Sequence, residues 1–384
     1  MSSPACVLSG ARGRSEARSI ERRIARFAAP HRAACAKLAA RHPWLADLAF
    51  SFPALFFALA APPRGWDREP AVALACAGAR LRIVAASAGV PLWLRRLPPE
   101  AFTAPLDALP DGAVFRRQIA NHLPPRPREA AQWLNVVTRA ATYGDPLFAV
   151  WIAREYGRNK WIAHMPRSLR LMALWAWFSA RPHTWGAKVW PHRFSTDMCW
   201  AAARAEMVQW ARIISSEIYL GFAQRRAWLE GGVLGEYELT PLTSATDVRD
   251  EAAAMQHCIA SYADAIAENS VCIFSLRRNG ARVATLELSR VPGSALLQIA
   301  QIRGPKNEPP PEEAVVAAHR WVCGARLQTI PEIVAIEPQA DVWRAVWRPY
   351  WLERRHIPEW LPLTPDMSLL NPYDGSVRMR GRRI

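Results

Sequence analysis

The stretch V-C-I-F-S-L-R-R-N-G-A-R-V-A-T-L-E-L, residues 271–288, constrains the fold more than any other part of the chain. Two runs rich in β-branched and aromatic residues flank Asn279-Gly280, and that dipeptide suits the left-handed φ angles of a two-residue hairpin turn. A second turn signal, Pro292-Gly293-Ser294, leads into a third run from Leu296 to Ile302. Nothing between the runs is long enough for a crossover helix, so they are read as a three-stranded antiparallel meander. Counting back from the turn pairs Arg278 with Ala281, Phe274 with Thr285 and Cys272 with Glu287. Thr285 and Glu287 then share a face, and Gln301 and Arg303 alternate likewise in the third run, because strand side chains repeat every second residue.

Upstream of Gly231-Gly232 the pattern is helical. Ile20, Ile24 and Phe27 recur at helix spacing, Pro30 suits the first turn of a second helix, and a third helix is predicted from about Pro70 to Ser87. Bounding prolines hold Pro91 to Pro99 to about two turns. The apolar run Leu48 to Ala61 contains Ser51 and Pro53 and falls short of the about 18 residues a bilayer crossing needs, so it is read as a buried helix or pair of helices. Residues 124–130, P-P-R-P-R-E-A, mark a stiff connection before a run holding ten of the 18 tryptophans, from Trp133 to Trp228. Trp175 and Trp177 cannot lie on one helix face, which calls for helices packed on more than one side. Stacking on nucleobases or placement at a membrane interface is the competing use of that much tryptophan.

The organisation read from these signals is a mobile arm (1–14), a basic helical domain (15–123), a Trp-rich helical domain (129–230), a small α+β domain (236–328) and a C-terminal extension (331–384) ending in the Arg-rich tail 376–383. Prolines 309 to 311 introduce a helix from Glu312 to Leu327 inside the α+β domain. The fold class is thus α+β: a mainly α-helical N-terminal part followed by a small α+β domain with a three-stranded antiparallel meander.

Charge divides along the same lines. The chain carries 49 basic and 33 acidic residues, yet only four of the basic ones are lysine, a bias that fits Arg-rich codon usage as well as it fits a partner. Residues 1–234 hold a net charge of +17, and residues 235–330 hold −2. If nucleic acid or a nucleoprotein complex is the partner, the basic N-terminal region is where it is expected; the other reading is a solvated Arg-rich surface. No membrane partner is expected. The seven cysteines lack paired spacing and no cleavable signal opens the sequence, which reads as reduced thiols in a cytoplasm.

Reactive and polar side chains gather around the meander. A helix predicted from about Asp247 or Asp250 to Ala267, capped by an Asp or Thr246, carries M-Q-H-C-I-A-S-Y, residues 255–262. On it His257, Ser261 and Asp264 share one face, and Cys258 and Tyr262 share the next. With Glu287, Gln301 and Arg303 on the sheet and Asn307 just beyond Gly304, an imidazole, a carboxylate, two amides and a guanidinium converge between helix and sheet. Adjacent helical residues point about 100° apart, which speaks against a thiolate–imidazole pair of Cys258 with His257 and for Cys258 as a small buried hydrophobe. Glu287 and Arg303 are read either as a cross-strand salt bridge or as a ligand-orienting pair. Gly304-Pro305 is read as a turn whose amides are able to approach an anion. There is no C-x-x-C or H-E-x-x-H, and neither a metal nor a cofactor is expected.

These blocks carry a resemblance. M-Q-H-C-I-A-S-Y, the preceding L-T-S-A-T-D-V-R-D-E-A, the strand A-T-L-E-L and the closing Q-I-R-G-P-K-N resemble the PcfJ-like family over roughly residues 236–325. That family is named for a protein of a conjugative plasmid. The resemblance implies His257, Cys258, Tyr262, Glu287, Gln301, Arg303, Gly304 and Asn307 as matched positions, and a link to mobile elements or DNA processing, without an established reaction. Ala253 departs from the pattern, standing where the family commonly has Gly, and bears on how that helix begins. Two functions stay open. One is an accessory or binding protein acting with nucleic acid; the other is an enzyme using His257, Glu287, Gln301 and Arg303 on a nucleotide or polypeptide substrate. The ligand-binding candidates are His257, Cys258, Tyr262, Glu287, Gln301, Arg303 and Asn307.

Overall fold

The computed structural model describes residues 17–106, 111–221, 225–291, 294, 296–325 and 330–372. The arm (1–14) and the tail (376–383) lie outside the described residues. The chain divides into two compact units, Met1–Leu174 and Trp175–Ile384.

The first unit is helical. After α1 (residues 17–24) come α2 (Arg32–Ala39), α3 (Pro43–Ser51), α4 (Pro53–Ala60), α5 (Glu69–Cys76), α6 (Leu81–Ser87), α7 (Ala113–Ile119), α8 (Ala130–Tyr143) and α9 (Pro146–Arg158). The apolar run does form a pair of helices, broken where Pro53 removes a backbone donor. Every residue of α4 is buried, with Phe27 stacked on Phe57 and Phe57 on Phe102. The single helix predicted over 70–87 is instead two, because Gly78 takes a left-handed φ of 73° and ends α5. Trp93 packs edge-on against Phe115 and Trp133, so tryptophan here is core.

The chain passes into the second unit within α10 (Pro166–Ser179), continues through the short α11 (Trp185–Lys188) and then forms α12 (Trp200–Leu220). Trp175 and Trp177, on opposite sides of α10, are both buried, as the two-sided packing argument requires. Trp177 meets Tyr350 and Trp210 meets Trp347, both from α16 (Ala340–Arg354). Among the described residues no helix is long and apolar enough to cross a membrane.

The sheet has five strands rather than three, in the order β1 (Gly232–Leu234), β2 (Tyr237–Pro241), β3 (Val271–Arg278), β4 (Ala281–Arg290) and β5 (Leu297–Arg303), all antiparallel. The two additional strands turn on Gly235, whose φ of 62° suits the first position of a two-residue hairpin loop. Asn279 and Gly280 take φ of 50° and 78° in the turn that the dipeptide predicts, with Arg278 opposite Ala281.

Beyond that turn the register differs from the simple count. A bulge leaves Val283 unpaired, so Thr285 faces Ser275 and Glu287 faces Ile273. The physical reason is apolar. The shift lets Phe274, Leu276, Ala284, Leu286 and Leu288 share one face, buried with Trp228 and with Trp321 from α15 (Glu312–Gly324). The unshifted register would have set Phe274 beside Thr285.

The other face of the sheet is covered too, by α13 (Ala245–Met255), the 3-10 turn Ile259–Tyr262 and α14 (Ala263–Ala267), which in turn pack on α12. The continuous helix predicted to Ala267 is broken at Gln256, which takes a left-handed φ of 52°. Its start is earlier than Asp247 as well. Ser244 is the cap: its hydroxyl accepts from the Asp247 amide at 3.1 Å while the Asp247 carboxylate accepts from the Ser244 amide at 2.9 Å. Ala253 lies well inside this helix and has no part in its beginning.

Candidate functional site

The polar face of the sheet owes its composition to two bulges. Without the unpaired Val283, Arg282 and Thr285 would point to opposite faces. A second bulge, at Ala300, lets Ile299 stay with the apolar core opposite Leu288 while Gln301 moves to lie opposite Glu287. Arg282, Thr285, Glu287, Gln301 and Arg303 therefore all rise from one side of β4 and β5. The break at Gln256 brings His257 over the same surface, and a loop beyond β5 closes it. In that loop Lys306 and Asn307 both have left-handed φ, 57° and 62°, a conformation costing a non-glycine residue roughly 1–2 kcal/mol.

A small open cleft results, lined by His257, Cys258, Ile259, Tyr262, Thr285, Glu287, Gln301, Arg303 and Asn307, with an interior of about 40 Å³. All the candidate site residues stand in it. Ser261 and Asp264, predicted to share a helix face with His257, do not. Both are exposed, and the Ser261 hydroxyl is spent on the Cys258 carbonyl at 2.7 Å. Cys258 is half-buried at the cleft wall rather than a core hydrophobe, with its Sγ 4.0 Å from the Asn307 side-chain oxygen. The Gly304 amide donates to the Glu308 carbonyl at 2.8 Å, so it is engaged within its own turn instead of facing an anion.

Two hydrogen-bonded groups occupy the cleft. In the first, the Gln301 amide nitrogen donates to Tyr262 Oη at 2.6 Å and to the Glu287 carboxylate. Glu287 thus pairs with Gln301 and not with Arg303. The guanidinium of Arg303 instead donates from Nε to the Gln301 amide oxygen at 3.4 Å.

The second group is deeper. His257 Nε2 lies 2.7 Å from Thr285 Oγ1, and that hydroxyl lies 2.6 Å from Glu251 Oε1. The other Glu251 oxygen accepts from Arg282 Nε at 2.8 Å. Glu251 is fully buried and His257 is only 4% exposed, and the remaining nitrogen, His257 Nδ1, is buried with no hydrogen-bond partner. Burial holds the imidazole below its usual pKa, against the opposing pull of the Glu251 charge and of its own carbonyl.

Glu251 and Arg282 were absent from the residues picked out of the sequence, and Thr285 was placed on the face of Glu287 without being named a site residue. Glu251 left a signal: it sits at helix spacing within the inward stripe Ala245, Val248, Ala252 and Met255, where a lone carboxylate calls for a partner. Among the described residues no three His, Cys, Asp or Glu side chains converge as a metal site.

The fold and cleft define an α+β unit in which a twice-bulged antiparallel sheet and a broken helix enclose a polar pocket. Residues 209–317 of this chain match the family model described as PcfJ-like protein, a span that runs from α12 into α15 and contains every cleft residue. Neither a curated protein nor a solved structure matches the chain.

Proposed function

We propose that the cleft binds a phosphate group of a nucleic-acid backbone, and that the protein serves as an accessory or binding component in nucleic-acid processing of the kind the family's link to mobile elements suggests. The observation that carries this reading is Arg303. Its guanidinium faces the cleft with an amide oxygen rather than a carboxylate as partner, which leaves its charge for an anion. The basic first two-thirds of the chain supports it by offering long-range attraction for a polyanion. An interior this small holds a phosphate and its immediate neighbours, while the bases stay outside.

A second reading, an enzyme acting on a nucleotide or polypeptide substrate, draws on the lowered pKa of the His257 imidazole at the cleft wall, which suits a proton acceptor. Glu287, Gln301 and Tyr262 satisfy one another, so the second proton-transfer group such an enzyme needs is not free in this state.

Binding of labelled single-stranded and duplex oligonucleotides to the whole protein tests the proposal, with the products run out to reveal any cleavage. Arg303→Ala is expected to weaken binding at least tenfold, the worth of one charge-assisted hydrogen bond. Unchanged affinity rejects the cleft as the phosphate site, and cleavage lost in His257→Gln decides for the enzyme.

A further inference from the structure

We infer that the first unit carries a contact site of its own for single-stranded nucleic acid, in which a base stacks on Trp161 while the cations beside it take the neighbouring phosphates. The site needs nothing from Arg303 or the cleft. It shares with the reading above only the class of partner.

Trp133 and Trp151 of the same unit are core residues, 0% and 1% exposed, whereas Trp161 is 61% exposed. Local structure holds it there. α9 ends at Arg158, Asn159 turns extended, and the Asn159 side-chain oxygen caps the 3-10 turn Lys160–His164 by accepting from the Trp161 amide at 3.1 Å. Ile162 in that turn is buried, and successive residues of a 3-10 helix point about 120° apart, so burying Ile162 keeps Trp161 outward. The indole is also braced. The His164 ring meets it at a centroid separation of 5.7 Å and an angle of 62°, Gln132 of α8 holds His164 Nε2 at 3.3 Å, and the Tyr156 hydroxyl donates to Gln132 Oε1 at 2.9 Å. A side chain fixed before its partner arrives loses little freedom on binding, so the exposed ring is a preformed platform.

The platform has a cationic surround. Lys160 lies 3.0 Å from the Glu129 carboxylate, Arg126 lies 3.8 Å from it, and the Arg128 charge bears on it too. Three cations thus share one carboxylate. Arg158 extends the patch from the end of α9: its side chain is 65% exposed while its partner Glu155 is buried, so the positive end of that pair is the one that meets solvent. An acidic peptide satisfies the cations and leaves the indole in water. A lipid surface calls for a broad apolar face, and the residues beside Trp161 in its own turn are Lys160, the buried Ile162 and His164. A nucleic-acid strand supplies a flat π face and an anion at every nucleotide, the pairing of aromatic platform and basic groove that binds unpaired strands. A duplex keeps its base faces stacked on one another, which selects the single strand.

The test measures binding of the full chain, at one salt concentration, to a labelled oligothymidylate, an abasic strand of the same length, a duplex, a polyglutamate of matched charge and vesicles containing phosphatidylserine. Trp161→Ala is expected to weaken oligothymidylate binding about tenfold, the worth of one stacked base, and Trp161→Phe to retain most of it. Trp161→Ala should leave the abasic strand and the duplex unaffected, because neither offers an unpaired base. Lys160→Ala should weaken the oligothymidylate and the abasic strand alike. Unchanged oligothymidylate affinity in Trp161→Ala overturns the inference, and so does an equal loss on the abasic strand. Lys160→Ala sparing both strands overturns it as well. Binding of polyglutamate or of the vesicles that depends on Trp161 and exceeds that of oligothymidylate overturns it in favour of an acidic protein or a membrane. A loss in Trp161→Ala with none in Arg303→Ala upholds this site and removes the cleft reading; the reverse pattern removes this site and leaves the cleft.

Discussion

Thr285 Oγ1 stands 2.6 Å from Glu251 Oε1, a contact between a strand and a helix 34 positions apart in sequence. It joins the two layers of the site through one proton. Removing the carboxylate strands the Thr285 hydroxyl and the Arg282 guanidinium at once. Breaking a buried pair costs about 3–5 kcal/mol, but Arg282 is 29% exposed and regains water, so Glu251→Ala is expected to lower unfolding stability by about 2–3 kcal/mol. Denaturant unfolding measures it. A loss under about 1 kcal/mol would show that water replaces the carboxylate and that the contact is incidental.

The His257 imidazole gives the stability a pH dependence of predictable sign. Burial lowers its folded pKa below the unfolded value of about 6.5, so the unfolded chain binds more protons in the window between the two. The contribution is fully present above about pH 6.5 and is lost as pH falls through the lowered folded value. His122 is depressed as well, by burial and then by the Arg154 and Arg158 charges, and Glu217, raised by burial, acts in the opposite sense. The quantity to read is therefore the difference between wild type and His257→Gln. That difference should shrink on acidification below about pH 6.5; a flat difference curve contradicts the buried neutral imidazole.

Gln256 ends α13 with φ 52° and ψ 40°, and only because it does so does the chain turn His257 over the sheet. A non-glycine residue pays for the left-handed conformation, and glycine does not. Gln256→Gly is expected to stabilise the unit by about 0.5–1 kcal/mol with ligand binding retained, and Gln256→Val to destabilise it by at least as much. A stabilising valine would mean the helix runs on through His257, as periodicity alone had suggested.

That last contrast shows where the sequence was legible. The Asn279-Gly280 turn and the alternation of Thr285 with Glu287 and of Gln301 with Arg303 carry their own local signals, and those residues do meet across one cleft. The break at Gln256 has no glycine or proline to announce it, and the bulges at Val283 and Ala300 are set by which registers bury Phe274, Leu286 and Ile299. Those are tertiary choices. Ser244 with Asp247, and Gly235 with the runs beside it, were readable as a capping box and a hairpin turn, but each lies in a stretch whose apolar periodicity is short. Glu251 needed the helix stripe and the sheet face considered together.

Cys258 provides a chemical probe of the cleft. Burial pushes the thiols of Cys35 and Cys272 up to about 11, which makes them poor nucleophiles, whereas Cys258 is half-buried at the cleft wall and Cys199 and Cys323 are exposed. Alkylation followed by peptide mass spectrometry should label Cys199 and Cys323 with or without nucleotide, and Cys258 only without it. Protection of Cys199 or Cys323 in place of Cys258 would locate the ligand elsewhere.

Salt dependence separates the cleft's share of binding from the rest of the basic chain. Each phosphate neutralised on a single strand contributes a slope of about −0.7 to the dependence of log K on log salt. Residues 1–234, with a net charge of +17, are placed to neutralise several phosphates, whereas residues 235–330, at −2, have little charge to spare beyond Arg303 and its neighbours. The whole protein should accordingly bind single-stranded nucleic acid with a slope of several units. Arg303→Ala should flatten that slope by about 0.7, one phosphate's worth, because the substitution removes a single cation. His257→Gln should weaken binding without changing the slope, since the imidazole is buried and neutral and releases no counterion. If Arg303→Ala weakens binding and leaves the slope unaltered, its guanidinium contacts something other than phosphate. If the wild-type slope itself is near zero, the arginine-rich surface is solvated and carries no nucleic acid at all.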